Sequence, residues 1–125
     1  MEIKINNKII FSNFKRPIII AEISANHCGN KKKFLKLIKL AHQNGADLIK
    51  IQTYEPGDMT INTKNKKFQI KGGLWDKKYL WDLYQKAQTP YSWNESAFIL
   101  AKKLGITLFS TPFSIKAVNF LEKQK

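Results

Sequence analysis

The sequence predicts an α/β fold in which about three strand–helix units build a parallel sheet, preceded by a small β-hairpin. Three observations carry the prediction. Short apolar runs rich in β-branched residues recur at 18–23, 47–53 and 106–111, the pattern of strands buried on both faces. The second and third runs each follow a helix-period segment that stops at a glycine, Gly45 or Gly105. Finally, Ala41-x-x-x-Gly45-x-x-Leu48 is echoed by Ala101-x-x-x-Gly105-x-x-Leu108, consistent with one unit used repeatedly.

The elements follow in order. Ile3, Ile5, Ile9 and Phe11 flank Asn6-Asn7, which predicts a hairpin with an Asx turn over 1–16, ahead of a main domain over 17–125. Ile18-Ile19-Ile20-Ala21-Glu22-Ile23 is the first buried strand, and it ends in the polar stretch Ser24 to Asn30. Lys31 to Asn44 places Phe34, Leu37, Ile38 and Ala41 on one helical face, with Gly45 as a left-handed terminator. Asp47 to Thr53 is the second strand. Tyr54 to Pro90 is too long for a plain connection; it holds a lysine-rich loop with Gly72-Gly73 and a short helix from Lys77 to Ala87. Its concentrated aromatic residues suit either a sugar-binding surface or packing of the excursion against the sheet. Ser92-Trp93-Asn94-Glu95 reads as a capping box opening the next helix, which stops at Gly105. Ile106 to Thr111 is the third strand, and Ser114 to Lys125 a closing helix.

Composition limits the function classes. The 125 residues, 43% hydrophobic and 25% charged, suit one folded domain, but not the ~250 residues of a closed eight-fold α/β barrel. No apolar run reaches the ~20 residues of a membrane helix, no signal peptide is evident, and Cys28 is the only cysteine, so the expected compartment is the cytoplasm. The net charge of +13 raises nucleic acid as a partner. Against it, Arg16 is the only arginine among 22 basic residues, and the clusters Lys31-Lys32-Lys33 and Lys64-Asn65-Lys66-Lys67 are short and lack interleaved aromatics. A solvated lysine surface is the simpler reading.

Chemistry-bearing residues gather at the C-terminal ends of the strands, where α/β folds place their sites. Alternation puts Ile18, Ile20 and Glu22 on one face of the first strand, and Leu48, Lys50 and Gln52 on one face of the second. An acid and a base inside apolar strands call for a partner or a ligand. Glu22 and Lys50 therefore form either a structural ion pair or part of a site, with Ser110 and Thr111 at the end of the third strand. Asn26-His27 follows the first strand directly, which admits a hydrogen-bonding or acid–base role for His27 beside an ordinary packing role. Cys28 reads as a small semi-buried residue rather than a nucleophile. His27 and His42 are the only histidines, and local spacing builds no metal site.

Three strings are more specific than any of these signals: 19–27 (IIAEISANH), 45–54 (GADLIKIQTY) and 109–113 (FSTPF). Together they resemble the N-terminal half of the sialic acid synthase family. Gln52-Thr53-Tyr54-Glu55-Pro56-Gly57-Asp58-Met59-Thr60, Gly73-Leu74-Trp75, Asp82-Leu83-Tyr84 and Thr89-Pro90-Tyr91-Ser92-Trp93 are similar to its pseudaminic acid synthase branch. The likeness runs from Pro17 to the end of the chain. It implies the first part of a (β/α)8 TIM barrel, and a phosphoenolpyruvate-dependent condensation with an amino-sugar aldehyde that yields a nonulosonic acid. It further implies a divalent metal, Mn2+ or Mg2+, and a homodimer.

Carried over by position, Glu22 is the carboxylate acting on the sugar or on the attacking water. Lys50 pairs with a phosphoenolpyruvate anion, Gln52 orients the sugar, and Thr111 helps to hold phosphoenolpyruvate. Asn26 and His27 match the family's Asn-His signature, so the expected catalytic residues are Glu22 and His27, with Asn26 and Ser110 joining Lys50, Gln52 and Thr111 in substrate binding. Where the branch ends its Thr-Pro-aromatic-x-Trp string with His this chain has Asn94, so no role is carried to that side chain. The family's metal-binding histidines, later anion-binding residues and C-terminal antifreeze-like domain have no counterpart here. The expectation is therefore a partial barrel, poorly stable and catalytically incompetent alone. Two other classes compete with the synthase: a non-catalytic α/β module holding a small anion with Lys50 and Thr111, and a lysine-rich polyanion-binding protein.

Overall fold

The computed structural model describes residues 2–5, 8–12 and 16–124 and begins with an antiparallel pair, β1 (Glu2–Ile5) and β2 (Lys8–Ser12). Ile3 pairs with Phe11 while Lys4 pairs with Ile9, so one extra residue bulges from β2. The hairpin is as expected; its Asx turn at Asn6-Asn7 lies outside the described residues.

The chain then forms β3 (Ile20–Glu22), α1 (Lys31–Gln43), β4 (Leu48–Thr53) and a one-turn helix α2 (Pro56–Met59). After α3 (Leu80–Ala87) and α4 (Tyr91–Leu104) come β5 (Thr107–Pro112) and α5 (Ile115–Glu122). The three later strands make one parallel sheet in the order β3-β4-β5, with Glu22 level with Lys50 and Gln52 level with Thr111. Parallel neighbours need long crossovers, and α1 and α4 supply them.

The core lies between the sheet and these two helices. Ile49 and Ile51 of β4 are fully buried against Phe34 and Ile38 of α1 and against Ala97 and Ala101 of α4. The alanines leave room for α1 and α4 to pack closely. The other face of the sheet departs from the sequence expectation of strands buried on both sides. Ile20 is 47% exposed and Phe109 36%, because no helix or strand among the described residues covers them.

Helix ends obey local chemistry with two differences. Asn30 caps α1 through its side-chain oxygen on the Lys33 N–H at 3.0 Å, and Gly45 turns the chain out at φ 84°. Ser114 caps α5 in the same way, accepting from the Ala117 N–H. The capping box expected at Ser92 does not form. Pro90 takes the cap position, its carbonyl accepting from the Trp93 N–H at 2.8 Å, so α4 already includes Ser92. The short helix expected from Lys77 starts at Leu80, because Lys77 adopts φ 63° and Gln69 bridges Tyr79. That bridge fixes the base of the long excursion.

Asp47 stands just before β4 and ties the strand ends together. Its carboxylate accepts from Arg16 at 2.6 and 2.8 Å and from the Ile19 N–H at 2.8 Å. The Arg16 hydrogen bond, then the Ile19 amide, hold its pKa below the ordinary 3.8. A carboxylate depressed on folding stabilises above its unfolded value and loses that contribution as pH falls through the folded one. Asp47→Asn is therefore expected to lower the urea midpoint at pH 7, with the gap to the unmodified chain closing as pH falls below 3.8. A gap independent of pH would rule out this account.

Candidate functional site

Alternation along the parallel strands and their register place Glu22, Lys50, Gln52 and Thr111 on the sheet face opposite the helices, at the C-terminal end. Lys50 Nζ lies 2.8 Å from Glu22 Oε2, both side chains 36% exposed. The other carboxylate oxygen, Oε1, accepts from the Ser24 hydroxyl at 2.9 Å and from the Ser24 N–H at 3.2 Å. Ser24 aims both donors at one oxygen by adopting φ 40°, a left-handed conformation costly for a residue with a Cβ. Glu22 is thus held from two sides while its edge stays open to solvent.

Both readings of the Glu22–Lys50 pair therefore describe the same geometry. An ion pair this exposed contributes about 0–1 kcal/mol, so stability alone gives little reason for it. An ammonium has three N–H donors, so one bond to Glu22 leaves capacity for an incoming anion.

His27 and Ser110 stand apart from this group. His27 is fully buried, edge-on to Phe34 and Trp93 at centroid distances of 5.6 and 5.5 Å. Its Nδ1 accepts from the Gly29 N–H at 3.0 Å, which leaves Nε2 as the protonated nitrogen, donating to Thr89 Oγ1 at 3.0 Å. The ring thereby pins the β3–α1 loop to the residue two before α4. Asn26 lies on that loop, exposed, with its amide donating to the Ile23 carbonyl at 2.9 Å.

Ser110 points to the helix side of β5, where its hydroxyl meets Thr53 Oγ1 at 2.7 Å and the Ile51 carbonyl at 3.3 Å. Asn94 completes this network, donating from Nδ2 to Thr53 Oγ1 at 2.9 Å. No local sequence signal singles out Thr53, Thr89 or Ser24. All three lie inside the strings that carry the family resemblance, but their partners are set by packing.

Burial, and next the charge of Lys33, push the His27 pKa below the ordinary 6.5. The unfolded chain then binds the proton more readily than the folded one. Stability is full above pH 6.5 and declines as pH falls below it, toward the folded value. His27→Gln is expected to flatten this acid-side slope in chemical unfolding between neutral pH and about pH 5. A slope that persists in the variant would show that another group titrates.

Glu55 links the end of β4 to α5. Its carboxylate accepts from Lys116 at 2.8 Å at both oxygens, and Lys116 also lies 5.4 Å from the centre of the Tyr91 ring. Its backbone N–H donates to Asp58 Oδ2 at 2.8 Å, which closes the turn of α2. The strand ends are thus anchored outside the open face.

Among the described residues no three His, Cys, Asp or Glu side chains come together where they could hold a metal ion. By themselves, the described residues do not supply the donor set of a resident divalent cation. No helix among the described residues is long and apolar enough to cross a membrane.

The model of the NeuB family matches residues 37–125. A pseudaminic acid synthase of Campylobacter jejuni subsp. jejuni serotype O:2 is 50% identical over 113 residues, covering 90% of this chain and 33% of that protein. The Helicobacter pylori pseudaminic acid synthase is 46% identical over 106 residues, 85% of this chain and 31% of that protein. A Campylobacter jejuni N,N'-diacetyllegionaminic acid synthase is 34% identical over 87% of this chain and 33% of its own length. The chain thus spans about a third of the curated relatives it matches. Among solved structures, the N-acetylneuraminic acid (sialic acid) synthetase of Leptospira borgpetersenii serovar Hardjo-bovis, in complex with citrate, aligns with a TM-score of 0.76. It shares 26% identity with this chain, covering 99% of it and 38% of that chain.

Proposed function

The chain belongs to the NeuB family, and from that premise we propose that it carries the first part of a synthase site that condenses phosphoenolpyruvate with an amino-sugar aldehyde to a nonulosonic acid. The observation that carries the reading is the pairing of Glu22 with Lys50 and of Gln52 with Thr111 on one open face at the C-terminal end of a parallel sheet. A cation, an amide and a hydroxyl suit a small trianion and a polyol; a carboxylate suits proton transfer.

In the reaction, C3 of phosphoenolpyruvate bonds to the aldehyde carbon, water oxygen adds at C2, and the C2–O bond breaks to release phosphate. Lys50 balances the carboxylate or phosphate charge of phosphoenolpyruvate, with Thr111 as a hydrogen-bond donor. Gln52 orients the sugar. Glu22 exchanges a proton with the aldehyde oxygen or the attacking water, and Ser24 keeps the carboxylate aimed. Asn26, on the loop above, is placed to donate to the sugar. His27 acts by holding that loop, and Ser110 by holding β5 against β4.

The chemistry is tested by exchanging the matching third of the Campylobacter jejuni pseudaminic acid synthase for this chain and measuring phosphate release from phosphoenolpyruvate with an amino-sugar aldehyde. Turnover that falls at least about 100-fold in Glu22→Gln is the expected result. A folded chimera that consumes no phosphoenolpyruvate, or a Glu22→Gln chimera of full activity, would refute the proposal.

A further inference from the structure

Helix α1 carries Lys31, Lys32, Lys33, Lys36 and Lys39, and no acidic residue occurs anywhere from 23 to 46. All five lysines are exposed. We propose that this side of α1 is a docking surface for an anionic lipid bilayer, held by charge at the headgroups while the candidate site on the opposite face of the sheet stays open.

The helical period aligns the charge. Lys32, Lys36, Lys39 and Gln43 fall within about 60° of arc, on the side opposite the buried Phe34 and Ile38, in a straight row about 10 Å long from Lys32 to Lys39. Folding gives no reason for the row. Three lysines occupy the first turn, at the positive end of the helix dipole, where acids are favoured. Lys32 and Lys36, four residues apart, repel one another. A solvated surface ordinarily mixes both signs, yet among the described residues none of the five reaches a carboxylate. The ion pairs are Arg16–Asp47, Lys50–Glu22, Lys64–Asp82 and Lys116–Glu55, and Lys33 Nζ meets only Cys28 Sγ, at 3.3 Å.

The kind of charge selects the occupant. α1 has no arginine, the residue suited to bidentate phosphate and base recognition, and its one aromatic ring, Phe34, is buried and cannot stack on bases. Nucleic acid therefore lacks its usual contacts here. Lysines are point charges on flexible stems, which suit a plane of headgroup phosphates in no fixed arrangement. Leu40, 40% exposed beside Lys39, adds an apolar contact at headgroup level.

The experiment sediments the 125-residue chain with vesicles of equal parts phosphatidylglycerol and phosphatidylcholine, and with vesicles of phosphatidylcholine alone. The expected result is binding to the anionic vesicles only, lost in about 1 M salt, where the screening length falls to about 3 Å. Each lysine at an anionic surface contributes about a fivefold factor, so the triple variant Lys32→Gln, Lys36→Gln, Lys39→Gln is expected to bind about 100-fold more weakly. Its helical circular dichroism should be kept, since all three side chains are exposed. Lys36→Gln alone, about fivefold weaker, carries the test if the triple variant loses its helix. Lys66→Gln, Lys67→Gln, Lys71→Gln removes the same charge from the long excursion and is expected to bind within about threefold of the parent. Equal losses in the two triple variants would make net charge the cause and overturn the surface. Equal binding to neutral vesicles, no sedimentation with either composition, or tighter binding to a DNA duplex at the same salt overturns it as well.

Discussion

Replacing Thr53 by valine is expected to lower the unfolding free energy by about 2–4 kcal/mol, although the two side chains have nearly the same shape. Thr53 is fully buried and is the hub of the network on the helix side of the sheet. Its oxygen accepts from Asn94 Nδ2, and its hydroxyl hydrogen serves Ser110, whose own hydrogen serves the Ile51 carbonyl. Valine removes both functions. Asn94 is fully buried and its Oδ1 already has no partner, so the variant leaves its entire amide unsatisfied, and Ser110 loses its donor. Each buried polar group left unpaired costs about 1–3 kcal/mol, far more than the methyl group returns. Urea unfolding should show a lower midpoint at unchanged slope, with Thr53→Ser close to the unmodified chain. A valine variant within about 0.5 kcal/mol of the parent would mean that the network is not closed in solution.

The second large effect concerns Lys50. Phosphoenolpyruvate is expected to raise the melting temperature of the unmodified chain, since a ligand at 100 times its Kd stabilises by about 2.7 kcal/mol. Lys50→Ala should cut that rise to about half or less, because a charge-assisted contact of about 1.5–3 kcal/mol corresponds to a loss of roughly tenfold to more than a hundredfold in affinity. The stability of the variant without ligand should change little, since the pair it breaks is 36% exposed on both sides. Lys64→Ala, which breaks an equally short but remote pair with Asp82, is the control and should leave the response intact. If Lys50→Ala keeps the full response, Lys50 does not meet the anion.

The sheet and its helices were legible in the sequence because their signals are local. β-Branched runs, a 3.6-residue apolar period and terminating glycines each require only neighbours along the chain. Helix starts were harder. The Ser92 capping box is a valid local pattern, but Pro90 holds the cap position and His27, 62 residues from Thr89, ties down the chain just before it. Burial of both sheet faces was expected from composition of the runs, whereas Ile20 and Phe109 depend on what stands across from them.

The site divides along the same line. By itself the sequence determined which residue types stand at the strand ends, and the period of two already put Lys50 with Gln52 on one face. It could not say that Glu22 lies level with Lys50 and Gln52 with Thr111, since register belongs to pairs of strands. Nor could it separate Thr111 from Ser110, adjacent residues on opposite sides of the sheet, one toward the open face and one bonded to Thr53. Only the tertiary structure decided that His27 is a buried latch rather than a member of the open face. Hydrogen-bond partners far apart in sequence are chosen by packing, and no local pattern encodes them.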